Sequence, residues 1–345
     1  MELTRLGRTD LMVTRTSFGL LPLQRVEMNE AVRILNRACD AGITFYDTAR
    51  GYSDTEEKLG RALSGRRDSI VIATKNAGPT RSQLLAELET SLRNLRADHV
   101  DLMQLHNPRA LPDPDDPESS YAGLLEAREK GMARFIGFTS HSLERAIAAV
   151  DSGLYDTVQY PICHISSEED LDIVRRCREA GVGVIAMKPM CGGIITQMRP
   201  AFAFLRGYEN VVPIWGIQRM SELDELLELD ADPPALDDEL LATIEQDRRE
   251  LAEDFCRGCG YCLPCPAEIP INMAARMSHL LRRMPYQGFL SDEWRDYMLR
   301  IENCTDCGSC RARCPYDLDT PALLRKALAD YRIFYREHTR GPLSQ

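Results

Sequence analysis

Short apolar runs and longer amphipathic stretches take turns along the first two-thirds of the chain. Thr14 to Phe18, Ile43 to Tyr46, Ser69 to Thr74 and Val100 to Leu105 are compact segments rich in β-branched and aromatic residues, the pattern of buried strands. Ala133 to Phe138, Thr157 to Tyr160, Val182 to Met187 and Val211 to Trp215 repeat it, which makes eight. Between them apolar residues recur at helical spacing, as in Ala31, Ile34, Leu35 and Ala38 after a cap at Asn29. Leu84, Leu88, Leu92 and Leu95 do the same after the capping pair Thr80 and Gln83. Further helix starts are predicted at Ser53 (with Glu56), Ser119, Ser142, Ser166 (with Glu169) and Ser221 (with Asp224). Leu3 to Val13 alternates around Gly7-Arg8-Thr9-Asp10 and reads as a hairpin. Eight strands, each followed by a helix, form the (β/α)8 TIM-barrel pattern. The rival is a doubly wound sheet; no Gly-x-Gly-x-x-Gly turn follows an early strand, which counts against a Rossmann dinucleotide site.

The pattern changes at Leu229-Asp230-Ala231-Asp232-Pro233-Pro234, an acidic, proline-bearing linker. A charged helix is predicted from Asp237 to about Asp254, and cysteine density then jumps. The domains are therefore set at 1–234, the barrel, and 235–345, a mostly helical domain with a polar tail after His338. With 42 basic and 53 acidic residues the net charge is −11, which argues against a nucleic-acid surface. No apolar run is long enough for a bilayer and no secretory segment is evident, so a soluble, cytoplasmic protein without a membrane partner is expected.

Four side chains sit where strands meet their following loops. Asp47 closes the second barrel strand and Tyr52 follows in its loop; Lys75 closes the third strand and His106 the fourth. Free tyrosine, with a pKa near 10, is a poor proton donor at neutral pH unless a neighbour stabilises its phenolate. A lysine ammonium can do that, a carboxylate can hold the lysine, and a histidine can orient a carbonyl oxygen. The group suits protonation of a carbonyl oxygen while hydride reaches its carbon. Any one of these residues alone reads more simply as an ion pair or a loop hydrogen bond.

Leu6-Gly7-Arg8-Thr9, Asp47-Thr48-Ala49 with Tyr52, Ala73-Thr74-Lys75 and Leu102-Met103-Gln104-Leu105-His106 resemble the aldo-keto reductase family, over residues 1 to about 230. The resemblance implies Tyr52 as acid, Lys75 and Asp47 as its tuning pair, and His106 as the group orienting the substrate. It also implies NADP(H) or NAD(H) bound at the carboxyl ends of the barrel strands. Ile136-Gly137-Phe138-Thr139-Ser140-His141 is similar to the family's nicotinamide-carboxamide segment, making Thr139, Ser140 and Gln159 cofactor-binding candidates. Thr139 and Ser140 also read as helix-capping residues. Ser140 stands where the family usually has asparagine. Met187, followed by Lys188, replaces the aromatic that stacks on the nicotinamide. Gly216 to Glu222 aligns with the segment that meets the 2′-phosphate; Arg219 could pair with it, but Glu222 falls where arginine often sits. NADP and NAD both remain open on this reading.

Eight of the twelve cysteines crowd into the second domain. Cys256, Cys259, Cys262 and Cys265 follow one another at x2 spacing, with Pro266 after the last. Cys304, Cys307, Cys310 and Cys314 have x2, x2 and x3 spacing before Pro315, the bacterial ferredoxin signature. Zinc ribbons are the alternative, since paired Cys-x2-Cys motifs also build tetrahedral sites. The three-thiolate runs favour two [4Fe–4S] clusters, cross-ligated: Cys256, Cys259, Cys262 and Cys314 on one, Cys304, Cys307, Cys310 and Cys265 on the other. Ile271 to Ile301 looks helical, so this resembles an α-helical ferredoxin. The spacing and position of the cysteines disfavour a radical-SAM barrel. The helix from Asp237 spans on the order of 25 Å, enough to return the cysteine domain to the catalytic face.

Two functions compete. One is a nicotinamide-dependent oxidoreductase acting on a small-molecule carbonyl or alcohol and carrying clusters for electron transfer or structure. The other is an electron-transfer or redox-sensing protein, with an electron-transfer protein as partner, whose barrel binds nucleotide and turns over little. Nicotinamide moves electron pairs and clusters move single electrons, and no flavin site is legible to convert between them.

Overall fold

A hairpin opens the chain: β1 (Leu3–Arg5) pairs antiparallel with β2 (Met12–Thr14). Eight parallel strands then close a barrel, β3 (Ser17–Gly19), β4 (Phe45–Asp47), β5 (Val71–Asn76), β6 (Val100–His106), β7 (Ala133–Thr139), β8 (Thr157–Pro161), β9 (Gly183–Met187) and β10 (Val211–Gly216), with β10 returning to β3. The helices between them are α1 (Met28–Asp40), α2 (Thr55–Leu63), α3 (Arg81–Leu95), α4 (Ser120–Glu129), α5 (Leu143–Asp151), α6 (Glu168–Ala180) and α7 (Met198–Arg206), and α8 (Met220–Ala231) follows β10. This computed structural model describes residues 1–251, 255–284 and 286–339. The chain divides into two compact units, Met1–Pro189 with Met198–Ala242 and Met190–Gln197 with Thr243–Gln345.

The barrel interior is filled from its amino-terminal end. Leu6, Leu11 and Val13 of the hairpin join Phe45, Ala73, Leu102, Ile185, Val212 and Ile214 in one buried cluster. Fully burying each such side chain contributes about 1.5–3 kcal/mol. The close seat depends on glycine: Gly7 has φ +59°, and a Cβ there would lie 2.2 Å from the backbone nitrogen of Gly183. With that end plugged by apolar groups, polar side chains on the barrel interior collect toward the carboxyl ends of the strands.

Helix starts differ from the sequence pattern in four places. α1 is capped at Glu27, and Asn29 lies inside the helix. α2 is capped at Asp54 without a side-chain bond; Ser53 has φ 42°, and Glu56 turns inward rather than back to a cap. α6 takes Ser167 with Asp170 as its capping box, one residue beyond Ser166 and Glu169. α8 begins at Met220, and Glu222 accepts from the backbone N–H groups of Gln218 and Arg219. Thr80, Ser119 and Ser142 do cap α3, α4 and α5, each side-chain oxygen accepting the N–H three residues on. Such caps are worth about 1 kcal/mol each.

The unit division falls inside α9 (Asp238–Glu250). The expected end of that helix at Asp254 and the tail beyond Thr339 lie outside the described residues. Beyond α9 come α10 (Ile271–Ala274), α11 (Met277–Arg283), α12 (Asp292–Leu299), α13 (Ser309–Ala312) and α14 (Thr320–His338). They pack on Ile269, Met277, Leu280, Met298, Leu324 and Tyr331, with Cys256, Cys262 and Cys310 buried among them. Arg276 and Arg283 donate to the carbonyls of Gly192 and Ile194 in the same unit, at 2.7 and 2.8 Å. No helix among the described residues is long and apolar enough to cross a membrane.

Candidate active site and cysteine-lined cavities

Residues two apart on a strand share a face. Phe45, Ala73 and Leu102 point into the barrel, so Asp47, Lys75 and Gln104 do so one step nearer the carboxyl ends, and His106 one step beyond Gln104. The Lys75 ammonium donates to Asp47 Oδ1 at 2.6 Å and to the Thr48 carbonyl at 2.7 Å; both charged side chains are at most 2% exposed. Gln104 Nε2 donates to Asp47 Oδ2 at 3.3 Å and to Gln159 Oε1 at 3.0 Å, and Gln159 Nε2 donates to Asp47 Oδ1 at 3.5 Å. Room for this layer is made by Gly137, where a Cβ would sit 2.3 Å from Thr157 Oγ1 and 3.0 Å from Gln104.

Tyr52 reaches the same place from the loop after β4. That loop continues the pairing of β4 with β5: Thr48 N–H donates to Ala73 and Arg50 N–H to Lys75, both at 2.9 Å. The Lys75 ammonium stands 5.0 Å from the centroid of the half-buried Tyr52 ring. His106 meets that ring edge-on, with centroids 5.6 Å apart. The structure thus brings Asp47, Tyr52, Lys75 and His106 together.

The electrostatics follow from burial. Burial drives Asp47 up and Lys75 down, and the short bond between them, each one's charge and the donors converging on Asp47 oppose that drift. Burial first, then the Asp47 charge, pushes the Tyr52 phenol up, so it carries its proton. Burial and then the Lys75 ammonium push His106 down to about 3. In the unfolded chain a histidine titrates near 6.5. Between these two values the unfolded chain holds the extra proton, so this contribution to stability is complete above about pH 6.5 and is lost as pH falls toward 3. The His106 ring is therefore expected to give the nitrogen resonances of neutral imidazole at about pH 5, and His106→Gln to lessen the fall in Tm between about pH 7 and pH 5.

The cofactor candidates are placed unequally. Ser140 N–H donates to the Gln159 carbonyl at 3.0 Å, which sets those two side by side at the ends of β7 and β8. The Thr139 hydroxyl is already engaged, donating to the Leu105 carbonyl and accepting from Asn107 N–H at 3.0 and 2.9 Å. Ser140 Oγ bonds the backbone of Ser142. Met187 is buried at the end of β9, and Lys188 follows with φ 59°. Arg219 lies at the head of α8 with its side chain 66% exposed and 3.8 Å from Glu222. Three contributors escaped the sequence reading. Gln104 had a signal, a polar residue at the inward position of an apolar strand; Asn107 and Glu56 had none.

In the second unit the cysteines ring two cavities. One is lined by Cys256, Cys259, Cys262 and Cys314; the other by Cys265, Cys304, Cys307 and Cys310, with Cys262 lining both. Among the described residues no group of three histidines, cysteines or acids stands ready to hold a single metal ion. Gly258 N–H donates to Cys256 Sγ at 3.4 Å. Burial, then Cys256 and Cys259, push the Cys262 thiol up to about 12. A donor set of four thiols around each cavity fits a four-iron cluster.

Comparison with known proteins locates both units in sequence families. Residues 16–204 match the model of the aldo/keto reductase family, and residues 255–319 match a 4Fe-4S dicluster domain. The chain is 32% identical to the uncharacterized oxidoreductase YrpG of Bacillus subtilis, covering 56% of this chain and 68% of that protein. It is 28% identical to L-galactose dehydrogenase of Arabidopsis thaliana, covering 58% and 69% respectively. Among solved structures, aldo-keto reductase AKR11C1 of Bacillus halodurans superposes with a TM-score of 0.63 at 21% identity, over 71% of this chain and 96% of that one, a likeness of fold.

Proposed function

The chain belongs to the aldo/keto reductase family and carries a 4Fe-4S dicluster domain, and from that premise we propose that it is a nicotinamide-dependent oxidoreductase interconverting a carbonyl and an alcohol. The observation that carries the proposal is the buried Lys75–Asp47 pair at 2.6 Å with the Tyr52 ring 5.0 Å from the ammonium. When bound, a reduced nicotinamide supplies hydride to the carbonyl carbon. Tyr52 gives its proton to the carbonyl oxygen, and the adjacent Lys75 ammonium stabilises the phenolate left behind. Asp47 keeps Lys75 charged, and Gln104 with Gln159 keeps Asp47 in place. His106, neutral, offers a ring N–H to the same oxygen without competing as a cation. In the reverse direction the Tyr52 phenolate takes the alcohol proton. Ser140 and Gln159 would hold the carboxamide of the nicotinamide, beside Met187 and Lys188.

Glu222 supports NAD(H) over NADP(H). Its carboxylate takes the Gln218 and Arg219 N–H groups at 2.8 and 3.1 Å and sits 3.8 Å from the Arg219 guanidinium, the groups that a 2′-phosphate would use. Replacing it by Glu222→Gln should improve NADPH binding relative to NADH about two- to fivefold, the scale of one charge at a helix end. Fluorescence titration of both nucleotides measures this, and a preference for NADPH in the unaltered protein would reject it.

The two cysteine-lined cavities support two [4Fe–4S] clusters, which supply one-electron redox chemistry and brace the helices around them. The test is anaerobic purification followed by a panel of small carbonyls and alcohols with each nicotinamide, read at the nicotinamide absorbance. Clusters that redox-cycle while no compound is turned over would instead favour the electron-transfer reading.

A further inference from the structure

We infer that Glu56 is a positioning residue for Tyr52, acting through Arg50; the inference rests on the general-acid role proposed for Tyr52. Glu56 lies in the first turn of α2, yet its side chain is 1% exposed. A buried carboxylate is tolerable only with donors around it. Glu56 has three, from three separate elements. Thr74 Oγ1, on the residue before Lys75, donates to Oε1 at 2.8 Å. Asn94 Nδ2, near the end of α3, donates to Oε2 at 3.3 Å, and Arg50 pairs with that same oxygen.

Arg50 lies in the loop that carries Tyr52, and its own N–H donates to the Lys75 carbonyl at 2.9 Å. The loop is closed a second time where the hydroxyls of Thr48 and Thr55 meet at 2.8 Å. Glu56 therefore ties three parts of the site to one buried point: the loop bearing Tyr52, the strand end bearing Lys75, and α3 behind them. Nothing in the proposed proton transfer touches Glu56. What it fixes is the distance between phenol and ammonium, and a displacement of about 1 Å in such a group costs on the order of 10²-fold in rate.

Glu56→Gln keeps the size and the bond from Thr74 but turns an amide toward the Arg50 guanidinium. It should lower kcat between about 10- and 100-fold while nucleotide affinity stays within about twofold. Arg50→Ala, at a position 25% exposed and so safer for folding, should act in the same direction. The double variant should be no worse than the poorer single one, since both remove one linkage. A readout independent of turnover is the ring resonance of Tyr52 in protein labelled at tyrosine, assigned with Tyr52→Phe; it should shift or broaden in Glu56→Gln. An unmoved resonance with kcat within about twofold of the parent would overturn the inference. So would a loss of rate matched by equal losses in nucleotide affinity and Tm. A moved resonance in a protein that reduces no carbonyl would leave the positioning intact and remove the proposed reaction.

Discussion

Tyr52→Phe is expected to lower carbonyl reduction by about 10²–10⁴-fold, the usual cost of removing a general acid, while leaving nucleotide binding and cluster absorbance nearly unchanged. The geometry explains why so little else should move. Lys75 holds Asp47 and the Thr48 carbonyl through its ammonium, so the ion pair does not depend on the phenol. Tyr52 is fixed by its backbone, whose N–H donates to the Ala49 carbonyl at 3.0 Å. The ring stays and one proton goes. The measurement is kcat/KM for the best carbonyl found, with nucleotide affinity from fluorescence as the control. Full activity in Tyr52→Phe would reject the assignment of the acid, because Tyr52 is the phenol whose ring stands against the Lys75 ammonium. Lys75→Met should also be inactive, yet it leaves Asp47 buried without its cation, so lost stability would confound it.

Much of this was legible because strands and barrels obey short-range rules. β6 is a run of apolar residues interrupted by inward polar positions, and the sequence places His106 at its end as the structure does. The helix caps show where local patterns fail. Ser53 with Glu56 has the spacing of a capping box, and nothing near it in the chain reveals that Thr74, Arg50 and Asn94 converge on that carboxylate from elsewhere. Ser166 and Ser167 are equally good caps on paper; the Ser166 hydroxyl is taken by Cys163 N–H at 3.1 Å, and Ser167 caps α6 with Asp170. Gln104 is the instructive omission. Its amide bridges Asp47 and Gln159 across 57 and 55 residues of sequence, so its role exists only once the strands are paired. Arg219 and Glu222, three residues apart, invite a reading as rivals for a phosphate. In the fold they face each other, and the acid has taken the helix amides.

Paired cysteine variants should separate cross-ligated clusters from self-contained ones. Anaerobically prepared protein is expected to hold about eight irons with matching acid-labile sulfide. Cys314 lines the cavity of Cys256, Cys259 and Cys262, although in sequence it closes the other run. Cys265 likewise lines the cavity of Cys304, Cys307 and Cys310. If each cavity holds one cluster, Cys259→Ala with Cys314→Ala strikes the same cluster twice and should leave about four irons. Cys307→Ala with Cys314→Ala strikes both and should leave almost none. The opposite order would mean that each run binds its own cluster. Stoichiometric zinc without sulfide would reject iron–sulfur ligation altogether. Cys256, Cys262 and Cys310 are buried with the apolar core of the unit, so losing both clusters should also reduce its helical signal as thiols lose the cations that let them pack. That loss is expected in circular dichroism of the stripped full-length protein, with the barrel contribution retained.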